Sequence, residues 1–301
     1  MTAPTAASRQ SRALIAFVVT TLAWGSTWLV IKGQLESVPP AWSVTWRFAL
    51  ASLGMFILAA LSRQKLRLSP QALRLAAITG QFQFFLNFQF VYQSERYVTS
   101  GLVAVLFALM LVPNALFGRF FFKQELSRRF LAGSVLALAG IGLLVAHEYH
   151  SAPTGTQAVL IGAGFAALSI LCASIGNVLQ AAPRLREKPG FTLLAWAMLF
   201  GTLGNAVAAS LTSGPPQIEW SAAYLGSVAY LGLVGSVLTF PLYLMLLREW
   251  GPGRAGYNGV AIPVVAMAMS TLFEGYQWSM LAAGGAVLAM AGMLIALSGR
   301  K

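Results

Sequence analysis

Charge is the first thing this chain lacks. Only 9% of its 301 residues are charged while 57% are apolar, and the mean hydropathy is +0.72. A soluble domain carries roughly 25% charge because its surface faces water. Too little polar material is present to cover a soluble globule, so the solvent must be largely lipid. Aspartate is missing altogether, since all 8 acidic residues are glutamates. That excludes the aspartate-rich metal sites on which membrane prenyltransferases depend. Histidine occurs twice, as His147 and His150, which we expect together in one outer loop. Without a histidine inside a span there is no HExxH metalloprotease motif and no His-dependent serine protease. The single cysteine, Cys172, excludes a disulfide framework and a Cys-based zinc site. No nucleotide-binding loop appears. The expectation is therefore no enzyme, no metal and no cofactor.

What the chain has is long apolar runs. A spanning helix needs ~20 mostly apolar residues, and ten such segments can be laid out: 13–33, 42–62, 71–92, 100–121, 130–147, 157–180, 190–212, 221–246, 254–273 and 279–298. The separators carry turn chemistry, as in Val38-Pro39-Pro40, Ser213-Gly214-Pro215-Pro216 and Trp250-Gly251-Pro252-Gly253. The first run is read as a span and not as a cleaved leader. It holds Trp24 and Trp28 and ends without a small-x-small cleavage site.

The net charge of +12 would suggest nucleic acid in a soluble protein, but the basic residues sit in short clusters between spans. With the N-terminus inside, Lys32 and Arg96 fall on the outer side and Arg47 falls within the second span. The rest of the 20 basic residues are inside, including Arg184, Arg186, Arg300 and Lys301. The positive-inside rule then places both termini in the cytoplasm.

The two halves also resemble each other. Residues 133–140 read GSVLALAG and 285–292 read GAVLAMAG; Pro113 and Pro263 each interrupt a span, followed by Glu125 and Glu274. Five spans per half is an odd number, so the second half enters the membrane inverted, as in many secondary transporters. The expected fold is an all-α membrane protein of ten transmembrane helices in two inverted five-helix repeats. A tail at 1–12 precedes repeats at 13–150 and 151–298, and 299–301 forms the C-terminus.

Several motifs in this order are familiar: Trp24-Gly25-Ser26-Thr27-Trp28, Arg47-Phe48-Ala49, and the span–Pro–Glu–Gly-rich-span pattern of both halves. Over nearly its whole length the chain resembles the drug/metabolite transporter superfamily, specifically its EamA-type ten-helix members. The run from Gln81 to Tyr92 is similar to that of the YddG-type amino acid exporters. The resemblance implies a cavity between the repeats, export of metabolites such as amino acids, and residence in the bacterial inner membrane.

Polar groups inside a membrane should face the bundle interior. Thr20, Trp24, Thr27, Trp28 and Ile31 form one stripe on the first span. On the third, Gln81, Phe85, Phe88, Gln89 and Tyr92 share one broad face, while Gln83 and Asn87 point elsewhere. The face of Gln81, Phe85 and Tyr92 is the favoured pathway wall, and other amides are expected to bond neighbouring helices. Span eight offers Ser236, Thr239, Phe240 and Tyr243, and Tyr257 with Asn258 is placed at the inner end. Arg47 either snorkels to water or pairs with Glu36, or it faces the cavity as a contact for a substrate carboxylate. Pro113, Pro241 and Pro263 are expected kinks or hinges. The small residues Gly133, Ala137, Gly140 and Gly285, Ala289, Gly292 suit close packing of two scaffold helices.

The glutamates are expected at helix ends or in loops, which argues against a mid-membrane proton relay and for a facilitator. The expected function is export of amino acids, with a bias to large or aromatic side chains, by alternating access in a monomer. The partners are the substrate and the bilayer, with no nucleic acid. Efflux of drugs or other metabolites, and a non-transporting sensor or assembly factor, are the alternatives.

Overall fold

In lipid every backbone polar group must be satisfied within the protein, which leaves helices as the natural outcome of apolar runs like these. The computed structural model describes residues 6–123, 125–151, 156–181 and 188–298, and among them it is helical throughout, without strands. The first five residues, Arg184, Arg186 and the tail at 299–301 lie outside the described residues.

The elements are α1 (Ala6–Gln34), α2 (Pro40–Leu61), α3 (Pro70–Gly80), a π-helical turn at Gln81–Leu86, α4 (Asn87–Glu95), α5 (Ser100–Ala108), α6 (Leu111–Phe122), α7 (Arg128–Ser151), α8 (Thr156–Gln180), α9 (Gly190–Ser213), α10 (Ala222–Ala229), a second π segment at Tyr230–Leu238, α11 (Thr239–Ala255), α12 (Asn258–Phe273) and α13 (Met280–Ser298). Helix starts follow local chemistry. Pro40 and Pro70 sit in first turns, where a missing N–H costs nothing, and Ser69 and Ser221 accept from the N–H of Ala72 and Tyr224.

Among the described residues, eight helical stretches are long and apolar enough to cross a membrane. The two expected spans outside that set have visible reasons. The run Pro70–Glu95 is helical from end to end but rich in amides, and Asn258–Phe273 is apolar but only 16 residues long.

Proline acts differently at its three positions. Before Pro113 the fourth expected span breaks into α5 and α6, with i→i+3 bonds at Leu109, Met110 and Val112. Pro241 follows the second π segment directly, and α12 runs uninterrupted across Pro263. Gly251, at φ 75°, makes the kink inside α11.

Contacts pair up across the molecule. α2 packs on α9, α7 on α13, α4 on α8, and α1 on α11 and α12, while α6 packs on α8. The α7–α13 seam is closest. A Cβ on Gly140 would lie 2.3 Å from the Ala289 nitrogen, and one on Gly292 would lie 2.3 Å from the Ala137 nitrogen. Only glycine lets these backbones touch.

Two large apolar clusters result, one centred on Phe48, Phe84 and Met198, the other on Leu102, Leu144 and Ile170. Trp28 and Phe107 pack against both. Cys172, on α8, is half-buried. The outer surface is a belt of exposed Leu, Ile, Val and Phe side chains, including Leu61, Val135 and Leu211, which suits lipid.

Two expectations are corrected here. His147 and His150 are not in a loop, because α7 continues to Ser151; His147 is buried and bonded to Ser279 and the Gln277 carbonyl. And although Glu95 ends α4, as expected of a helix-end residue, its side chain is fully buried.

Candidate functional site

The central polar residues gather between α1, α2, α4 and the second π segment. A π turn closes i→i+5 bonds, leaves local carbonyls underused and is frequent at functional sites. Both π segments here have a carbonyl taken by a side chain from another helix. Trp24 Nε1 donates to the Gly235 carbonyl at 3.1 Å, and Asn205 Nδ2 donates to the Phe84 carbonyl at 2.9 Å. Gly235 also lets α1 close in, since a Cβ there would sit 2.9 Å from Thr27 Cγ2, with Arg47 Nη2 at an ordinary contact distance of 3.8 Å.

Aromatic rings form a connected wall. Tyr243 packs on Trp24 with centroids 5.3 Å apart, and Trp24 on Phe240 at 5.8 Å. Phe240 then meets Phe84 at 5.9 Å, Phe84 meets Phe48 at 5.2 Å, and Phe48 meets Phe88 at 4.7 Å. The wall ends on a charge. The Arg47 guanidinium carbon stands 4.4 Å from the Phe88 centroid and 5.2 Å from that of Phe48, within cation–π range.

Arg47 is 3% exposed, which removes the expectation that it snorkels to water. Its Nε and Nη1 are buried without a hydrogen-bond partner. Its polar neighbours are Tyr92 and Glu95, not Glu36. Tyr92 in turn donates to Gln34 Oε1 at 2.7 Å, and Gln34 Nε2 reaches Ser227 Oγ at 2.7 Å, tying α4 to α1 and α10. Leaving such donors unsatisfied in a dry interior is costly.

The expected site residues divide into two sets. Trp24, Thr27, Trp28, Arg47, Phe88, Tyr92, Phe240 and Tyr243 come together, with Trp28 tilted against Phe107 at a centroid distance of 4.9 Å. Ser236 and Thr239 are buried beside them, but their hydroxyls donate to the Leu231 and Gly235 carbonyls of their own helix. The third-span amides lie elsewhere. Gln81 donates to the Phe200 carbonyl, and with Phe85 it lines a shallow apolar groove against Leu203, Val207 and Leu211 on the outer surface. Gln89 bonds Asn205, while Asn87 accepts from Ser169 at 2.6 Å and Gln83 abuts Gly176. Hence Gln81 and Phe85 do not share a wall with Tyr92. Asn258 is consumed by α1, through Thr20 and Thr21, and Tyr257 is exposed.

The inward face of this span is Phe84, Phe88, Tyr92 and Glu95, at i, i+4, i+8 and i+11. The spacing was visible in sequence, but the amides drew attention away from it. Phe84 and Gly235 are the members that the sequence did not single out, and Glu95 joins them from its helix end.

Comparison with known proteins bears on what such a site serves. Residues 11–146 and 160–298 each match the EamA-like transporter family. A "Probable amino-acid metabolite efflux pump" of Salmonella typhimurium strain LT2 is 29% identical over 306 residues, covering 97% of this chain and 96% of the relative. A protein of the same description from Escherichia coli K12 is 27% identical, covering 98% and 97%. The "Uncharacterized inner membrane transporter YedA" of E. coli K12 is 29% identical over 82% of this chain and 78% of its own. A solved protein chain superposes with a TM-score of 0.68 at 19% identity, over 95% of this chain and 96% of that one.

Proposed function

The chain belongs to the EamA-like transporter family, and we propose that it exports amino acids, with preference for large neutral or aromatic side chains, by alternating access. It is a multi-pass membrane protein. We read it as ten spans in two inverted repeats, 13–150 and 151–298, acting as a monomer in the bacterial inner membrane with both termini cytoplasmic.

One observation carries the substrate class. A buried guanidinium with two free nitrogens closes an aromatic wall running from Tyr243 to Phe88. Arg47 supplies the fork geometry that a carboxylate fits, and the rings supply apolar surface for a side chain. The repeat reading is supported by the pairing of α2 with α9 and α7 with α13, and by a π segment in the third span of each half. Two relatives named as amino-acid metabolite efflux pumps point the same way.

Uptake of radiolabelled amino acids into proteoliposomes, with and without an imposed pH gradient, tests this. Saturable uptake without a gradient establishes a facilitator. Uptake only with the gradient keeps the substrate and assigns coupling to protons, for which the buried Glu95 is the first residue to test. No uptake of any amino acid shifts the function to efflux of other amphipathic metabolites, which the aromatic wall also suits.

A further inference from the structure

Arg47 is not the only buried charge left unpaired. Glu95, at the end of α4, is 0% exposed, and neither of its carboxylate oxygens has a hydrogen-bond partner. Three charged groups act on it: Lys32 from α1, Arg47 from α2, and Glu274 after α12. Two of these are already engaged. Lys32 Nζ donates to the backbone carbonyls of Glu95 and Val98, and Glu274 accepts from the N–H and hydroxyl of Ser100. Arg47 and Glu95 therefore remain as opposite charges in one interior, with Nε and Nη1 of the one and both carboxylate oxygens of the other lacking a hydrogen-bond partner.

We propose that Arg47 and Glu95 together bind a zwitterion, Arg47 taking the α-carboxylate and Glu95 the α-ammonium group. This deepens the amino acid reading above and rests on it. The spacing is suitable. Phe88, beneath the guanidinium, and Glu95 are seven residues apart on α4, on the order of 10 Å along a helix axis. Two charge-assisted hydrogen bonds of about 2.8 Å and the width of an amino acid backbone fill most of that span. Tyr92 lies between them and stays occupied with Gln34. Charge balance points to the same class of ligand. With the ligand's ammonium group holding Glu95 ionised, Lys32 and Arg47 offset Glu95 and Glu274. A zwitterion leaves this sum at zero, whereas an anion or a cation would unbalance a buried cluster.

The test is counterflow exchange in proteoliposomes holding the full-length protein, with phenylalanine, N-acetylphenylalanine and 2-phenylethylamine as probes. The wild type is expected to exchange phenylalanine at least about tenfold faster than either analogue, since a site built for two polar groups rejects ligands lacking one. Glu95→Gln is expected to raise the KM for phenylalanine at least about tenfold and to erase discrimination against the N-acetyl compound. Discrimination against 2-phenylethylamine should survive. A wild-type protein that moves the N-acetyl compound as well as phenylalanine overturns the proposal, as does a Glu95→Gln protein with unchanged KM and selectivity. In both cases amino acid transport stands. A wild type that moves no amino acid overturns the export reading and this site together. The unliganded melting temperature of each variant reports folding. If Glu95→Gln does not fold, Glu95→Asp is decided by the same selectivity ratio.

Discussion

The α7–α13 seam and the interior between α1, α2 and α4 solve opposite problems. Along the seam the backbones touch through Gly133, Gly140, Gly285 and Gly292. In the interior large rings pack around two buried charged groups whose polar atoms are only partly satisfied. The seam spends sequence on shape. The interior keeps buried ionisable groups that a packed scaffold would have removed, and ionisable groups inside a membrane point by default to function.

Breaking the seam should give the largest effect. Gly140→Leu must push against the Ala289 backbone, costing about 3 kcal/mol or more. Melting temperature and yield of monodisperse protein should collapse, while exchange per folded molecule is retained. Arg47→Gln should do the reverse. Phenylalanine exchange should fall about 100-fold, equivalent to ~2.7 kcal/mol, with monodisperse folded protein still recovered because no backbone contact is disturbed. If Arg47→Gln lowers stability and transport together, the contrast between the regions fails. Asn258→Leu sharpens it by removing bonds to Thr20 and Thr21. The expected loss is about 1–2 kcal/mol in melting experiments, with little change in KM. Gln89→Leu, which gives up one bond to Asn205, should cost only ~0.6 kcal/mol and leave transport intact.

The seam could be read almost entirely from sequence, because small residues at i, i+4 and i+7 recur in both halves and nothing competes with that reading. The aromatic stripe Trp24, Thr27 and Trp28 was equally legible, since α1 is a regular helix through that region. The third span was not. Counting at 3.6 residues per turn merges Gln81, Phe85, Phe88 and Tyr92 into one face. The π turn at Gln81–Leu86 changes the pitch, sending Gln81 and Phe85 toward α9 and Phe84 and Phe88 inward. A π turn has no residue signature of its own, so this split needed coordinates. Glu95 was hidden for a different reason. Its place at a helix end suggested exposure, and only the packing of α1 and α2 over that end buries it. Arg47 was visible as an anomaly within a span, but the choice between snorkelling and an inward role depended on Phe48 and Phe88 beneath its guanidinium.

The tightness of the seam, joined to the presence of only one thiol, Cys172, makes this protein a convenient spectroscopic object. Cys172→Ser gives a blank background. On it, Gly142→Cys and Gly284→Cys set two labels on the outer faces of the seam helices, where an added side chain meets nothing. Their separation is a calibration length that should stay constant through the transport cycle. A second pair, from Gly142 to Gly226 on α10, can then be read against it as true displacement and not as wobble of the dye.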